Sequence, residues 1–146
     1  MKKIMLVILM MFGLVSTAYG AGIVETVQSK NNLSVASFAW TTSVTGSYTI
    51  TSEQPVNGYI LMIETVPDAT AVPNANYDVS VKNADGLEIV GGTNLFNRSA
   101  TATEAVMPLL NSEIVEMPNL GKLTVSVVDG GTGGQGIIRV YYRRDR

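Results

Sequence analysis

The sequence predicts an all-β protein, a single β-sandwich of seven or eight short antiparallel strands behind an N-terminal signal peptide. Three observations carry that expectation. Apolar residues recur at period 2 in several separate runs, and no sustained helical period accompanies them. Turn residues (Gly, Pro, Asn and Asp) punctuate the chain roughly every 8–12 residues, the spacing of a sandwich. Charged residues make up only 15% of the chain, whereas helix surfaces normally carry more Glu, Lys and Arg; the abundance of Val, Thr, Ile and Tyr suits sheet instead. A jelly roll, an immunoglobulin-like sandwich and a small barrel are the neighbouring architectures.

Residues 1–20 read as a segment apart. Lys2 and Lys3 form a positive start, Ile4 to Val15 is apolar apart from Gly13, and Ala18 and Gly20 place small residues ahead of a cut before Ala21. That is the three-part pattern of a secretory signal. Its apolar run is short of the ~20 residues that span a bilayer, so contact with the membrane is expected only in transit. Residues 21–146 then form one domain, since about 126 residues bury roughly two thirds of their unfolded surface. Loss of Lys2 and Lys3 leaves the mature chain mildly acidic, and Arg139, Arg143, Arg144 and Arg146 are its one basic cluster. A nucleic-acid surface would need more clustered Lys and Arg. The chain has no cysteine, so an exported protein of this kind must rely on its core or on association for stability.

Leu33 to Trp40 reads as a first strand, with Leu33, Val35 and Ser37 on one face. After Gly46, Tyr48 and Ile50 alternate with Ser47, Thr49 and Thr51. Tyr59 to Val66 is nearly continuous apolar sequence, as expected of a strand covered on both faces or lying at a subunit contact. Pro67 to Ala75 is a loop. Tyr77, Val79 and Val81 then point to the core, Asn83 to Gly86 turn the chain, and Leu87 and Ile89 return it, making residues 76–90 a hairpin. Gly91 to Thr103 is irregular. Ala105 to Leu110 and Glu113 to Met117 are short apolar pieces, the second closed by Pro118. Leu123, Val125 and Val127 form another inward face, and the glycine-rich stretch 129–136 is expected to join it to an adjacent antiparallel strand, Ile137 to Tyr142.

The chain contains neither histidine nor cysteine, which removes Ser-His-Asp triads, Cys-His dyads and His- or thiolate-ligated metals. Gly131-Thr132-Gly133-Gly134-Gln135-Gly136 matches the glycine spacing of dinucleotide-binding turns. That fingerprint works only where it opens a helix, and here β-branched and aromatic residues follow. Asn83, Asp85 and Glu88 lack the oxygen count and spacing of a calcium loop and read as a turn. No catalytic residue, cofactor site or metal site is therefore assigned. Trp40 reads first as a core filler, with an exposed binding aromatic as the alternative. Tyr141 and Tyr142 are neighbours in one strand, so one faces in and the other out.

From Asn76 to Arg143 the chain resembles small β-rich proteins encoded among the virion genes of tailed bacteriophages and prophages. The resemblance is carried by Asn76-Tyr77-Asp78-Val79-Ser80-Val81, Asp85-Gly86, Gly91-Gly92, Asn97-Arg98-Ser99-Ala100-Thr101, Gly121 to Val127 and Ile138 to Arg143. It implies a structural component without enzymatic activity, a decoration or fibre-associated subunit acting by protein–protein assembly as a homo-oligomer or on a larger particle. The N-terminal pattern implies instead an exported periplasmic, cell-surface or extracellular module that binds carbohydrate or protein. On either reading the candidate interface residues are Trp40, Tyr59, Leu61, Ile63, Tyr141, Tyr142 and Arg143, picked for apolar excess and aromatic character.

Overall fold

The computed structural model describes residues 24–30, 32–90, 95–111 and 113–144, and for 24–30 the backbone pairing alone. The expected signal peptide at 1–20 lies outside the described residues. The chain is all-β: β1 (Val24–Lys30), β2 (Leu33–Thr41), β3 (Tyr48–Thr51), β4 (Gly58–Pro67), β5 (Asp78–Lys82), β6 (Glu104–Val106), β7 (Leu109–Leu110), β8 (Glu113–Ile114), β9 (Met117–Asn119), β10 (Thr124–Val128) and β11 (Gln135–Arg143). One antiparallel sheet has the order β1-β2-β11-β4, with β6 and β9 both pairing with β4; a smaller one has the order β3-β10-β5.

Both sheets place their alternate side chains in one core. Ala36, Phe38 and Trp40 come from β2, Ile60 and Ile63 from β4, and Ile138, Val140 and Tyr142 from β11, all buried. Opposite them lie Val79, Val81, Val125 and Val127, with Tyr77 and Leu123 at the ends of their strands. These last six are the residues the alternation assigned inward. The chain passes between the large sheet and the small one at β2–β3, β3–β4, β4–β5, β5–β6, β9–β10 and β10–β11. Such crossings bring hydrophobic strands distant in sequence onto two facing layers, the arrangement of a sandwich.

Four local expectations change. A strand, β1, precedes the first expected one and pairs with it from Val24↔Ala39 to Lys30↔Leu33. Leu87 and Ile89 do not form a returning strand. Only a single bridge, Lys82↔Glu88, follows the turn; Leu87 is exposed and Ile89 buried. The reason is that the Glu88 carboxylate itself occupies the edge of β5, accepting the Val81 N–H at 2.7 Å and the Ser80 hydroxyl at 2.8 Å. Gly86 at φ +80° closes the turn before it, while Asn83 Oδ1 accepts the N–H groups of Asp85 and Leu87. Asn83 and Glu88 thus both accept backbone N–H groups of the turn and of β5.

Pro118 does not end its segment but lies within β9, opposite Tyr59; an edge strand tolerates the missing N–H. Finally, the glycine-rich stretch does not join adjacent strands. It crosses from β10 in the small sheet to β11 in the large one, and it is tightly bonded. Thr42 Oγ1 donates to Gly131 O at 2.5 Å, with Gly134 O at 3.1 Å, and the Gly130 N–H donates to Gly46 O. Gly131 and Gly133 take positive φ, and a Cβ on Gly134 would fall on the Gly130 carbonyl.

Candidate functional site

Alternation decides the outer face of the large sheet as firmly as the inner one. With Phe38, Ile138 and Thr65 turned inward, the registers of β2, β11 and β4 stack four outward rows: Ala39–Ile137–Val66, Ser37–Arg139–Glu64, Val35–Tyr141–Met62 and Leu33–Arg143–Tyr59. Neighbouring side chains in such rows stand about 4.8 Å apart. Most of these residues are half-buried, and Leu33 and Arg143 are exposed. Neither the small sheet nor the β7–β8 hairpin pairs with β2 or β11.

A polar network runs through this apolar field. Arg139 Nη1 donates to Glu64 Oε2 at 2.8 Å, and the Tyr141 hydroxyl donates to the same oxygen at 3.1 Å. The Glu64 carboxylate keeps the Arg139 guanidinium more firmly protonated than usual, chiefly through this hydrogen bond. Desolvation, reinforced by the bond to Glu64, raises the Tyr141 phenol above its ordinary value of 10.0. A raised phenol contributes stability in full below the unfolded value and loses it as pH rises through the folded one. Replacing Glu64 by Gln is expected to bring the Tyr141 titration to lower pH, read by near-ultraviolet absorbance. An unmoved titration would mean that Glu64 does not hold the phenol. At the lower corner, Arg143 donates to Glu116 and lies 5.2 Å over the Tyr59 ring, a cation–π contact.

The expected interface residues divide. Tyr59, Leu61, Tyr141 and Arg143 are half-buried or exposed and share this face or its edge. Trp40, Ile63 and Tyr142 are core residues, 2%, 0% and 1% exposed, and they are withdrawn from the candidate surface. The reason at Trp40 is that its parity on β2 matches Phe38, and its ring packs 5.5 Å from that of Tyr77. Tyr142 is the inward member of the tyrosine pair, and Arg144 lies 5.9 Å over its ring. Ile63 fails because β4 carries a bulge. Met62 pairs with Tyr141 and Ile60 with Tyr142, leaving Leu61 extra. One added residue reverses alternation beyond it, so Tyr59 faces out and Ile63 faces in. Val35, Met62, Val66 and Ile137 belong to the face and were not among the residues expected there; the outward parity of β11 alone would have found Ile137.

Among the described residues no group of three or more acidic side chains is placed to hold a metal ion. No protein-family model matches the chain, and no curated protein matches it either. Among solved structures, a similarity is found to a chain of the cyanophage Pam1 capsid asymmetric unit. It shares 20% identity over 92% of this chain and 96% of its own length, at a TM-score of 0.41.

Proposed function

We propose that this chain is a non-enzymatic structural subunit that works by protein–protein assembly, as a decoration or fibre-associated component of a phage particle. Its contact surface is the outer face of β2, β11 and β4, and the occupant is a further copy of the chain. The observation that supports this is the composition of the four outward rows. Val35, Met62, Val66, Ile137 and Tyr141 crowd the middle of a wide sheet, where an antiparallel sheet facing water normally carries polar residues. Contiguous apolar surface of this kind marks interaction sites. The Arg139–Glu64–Tyr141 network satisfies its own charges, so a partner can cover it without stranding an ion. The resemblance of residues 76–143 to virion proteins supplies the setting.

The test is native mass spectrometry of residues 21–146, alone and with particle proteins, beside the double substitution Val35→Lys and Ile137→Lys. Association is expected for the parent chain and its loss in the variant, with the melting temperature nearly unchanged because both positions are outward. A strict monomer at high concentration that binds no particle protein and turns over a glycan or ester would overturn both the assembly reading and the non-enzymatic one. The signal-like N-terminus favours a second reading, an exported surface or periplasmic binding module. N-terminal sequencing of the natural product separates the two: a start near Ala21 in envelope fractions supports the module, and an intact Met1 in purified particles supports the virion subunit.

A further inference from the structure

We propose that the outer face of the small sheet carries a binding groove for one pyranose unit of a saccharide, a site separate from the assembly face and on the other side of the sandwich. The groove encloses about 250 Å³, room for a single sugar ring. Its floor is the directly opposed pair Ser80 and Ser126, whose hydroxyls are held in place: Ser80 donates to Glu88 at 2.8 Å, and Ser126 accepts from Thr49 at 3.0 Å. Phe96 and Val128 form an apolar wall, 37% and 41% exposed. Asp78 and Lys82 stand at its two ends, opposite Val128 and Thr124 in register. The Asp78 carboxylate is oriented by the Asn97 N–H at 2.8 Å.

That combination selects its ligand class. An aromatic side chain beside two hydroxyls, two carboxylate acceptors and one ammonium donor suits a molecule with an apolar C–H face and hydroxyls that both donate and accept. Asp78 and Glu88 disfavour a phosphate or other anion. A purely apolar ligand would cover the Lys82 ammonium and the Asp78 carboxylate, both open to water, and offer neither a hydrogen bond in return. An extended peptide would need the free edge of β5, which is already taken by Leu95 O on the Val79 N–H and by Glu88 on the Val81 N–H.

The test is a two-dimensional amide NMR titration of residues 21–146 with the methyl glycosides of glucose, galactose and N-acetylglucosamine. At least one glycoside is expected to bind with a Kd of about 1 mM, ordinary for a ligand of about a dozen heavy atoms, with shifts confined to residues 78–82, 88, 96–97 and 126–128. Phe96→Ala and Asp78→Asn should each weaken binding about 10-fold or more while the spectrum stays folded, and Tyr141→Ala on the opposite sheet should leave it unchanged. No saturable shift with any of the three, or shifts centred elsewhere, would overturn the proposal. Because the Tyr141 face is read separately, failure here leaves the assembly reading standing, and loss of assembly leaves this site intact.

Discussion

Val125→Asp is expected to abolish folding. Val125 is 1% exposed in the central strand of the small sheet, paired with Ile50 on one side and Val81 on the other. An unpaired carboxylate there costs several kcal/mol, or the group protonates and still leaves its polar atoms unsatisfied. A domain of this size has only about 5–15 kcal/mol of stability to lose. Thr124→Asp, one residue away on the outer face and opposite Lys82, is expected to cost less than about 1 kcal/mol. Circular dichroism melting of both variants makes the comparison. A cooperative melt from Val125→Asp close to that of the parent would show that β10 presents its other face to the core.

The second large effect is expected from the smallest change, Gly136→Ala. A Cβ at this position would lie 2.7 Å from Trp40 Cζ2 and 2.7 Å from Val66 O. The backbone carbonyl belongs to the neighbouring strand and the indole is buried against Tyr77, so neither can withdraw cheaply. Overpacking of this kind costs about 2–3 kcal/mol, a fall in Tm of roughly 10 °C. Trp40→Phe in the same chain removes the part of the ring that the methyl meets, so the double variant should be less destabilised than the sum of the two single ones. Strict additivity, or an unchanged Tm for Gly136→Ala, would show that the indole does not rest on β11. The same packing explains why a stretch with the glycine spacing of a nucleotide turn needs its last glycine: the residue makes room for tryptophan.

What could be read without the structure follows from the range of each interaction. Alternation is local, so the inward faces Tyr77–Val81 and Leu123–Val127 and the split of Tyr141 from Tyr142 were legible in short windows. Ile63 was misassigned to the face of Tyr59 because a bulge depends on how β4 meets β11, and nothing within β4 announces Leu61 as the extra residue. The returning arm after Gly86 was misread for a similar reason, since a carboxylate from Glu88 competes for the edge that a strand would have used. β1 escaped notice because its alternation is weak and it gains its place by pairing with β2. Phe96 gave no signal in an irregular segment, and only the fold sets it beside Ser80 and Ser126.

Residue types and their spacing were enough to give the all-β class, the parity of the regular strands and, through the absence of His and Cys, the side-chain chemistries closed to this chain. These depend on residue type and on period 2, which a β-strand keeps wherever no bulge interrupts it. Contacts across the two layers were needed to put Ile63 and Tyr142 in the interior, to choose the core place of Trp40 over a surface one, to carry residues 129–136 between sheets, and to gather Val35, Ile137, Tyr141 and Met62 in one outward field. Strand order, register and bulges arise from pairing between segments up to about a hundred residues apart, where loop-closure entropy and packing across two layers choose among many locally equivalent arrangements.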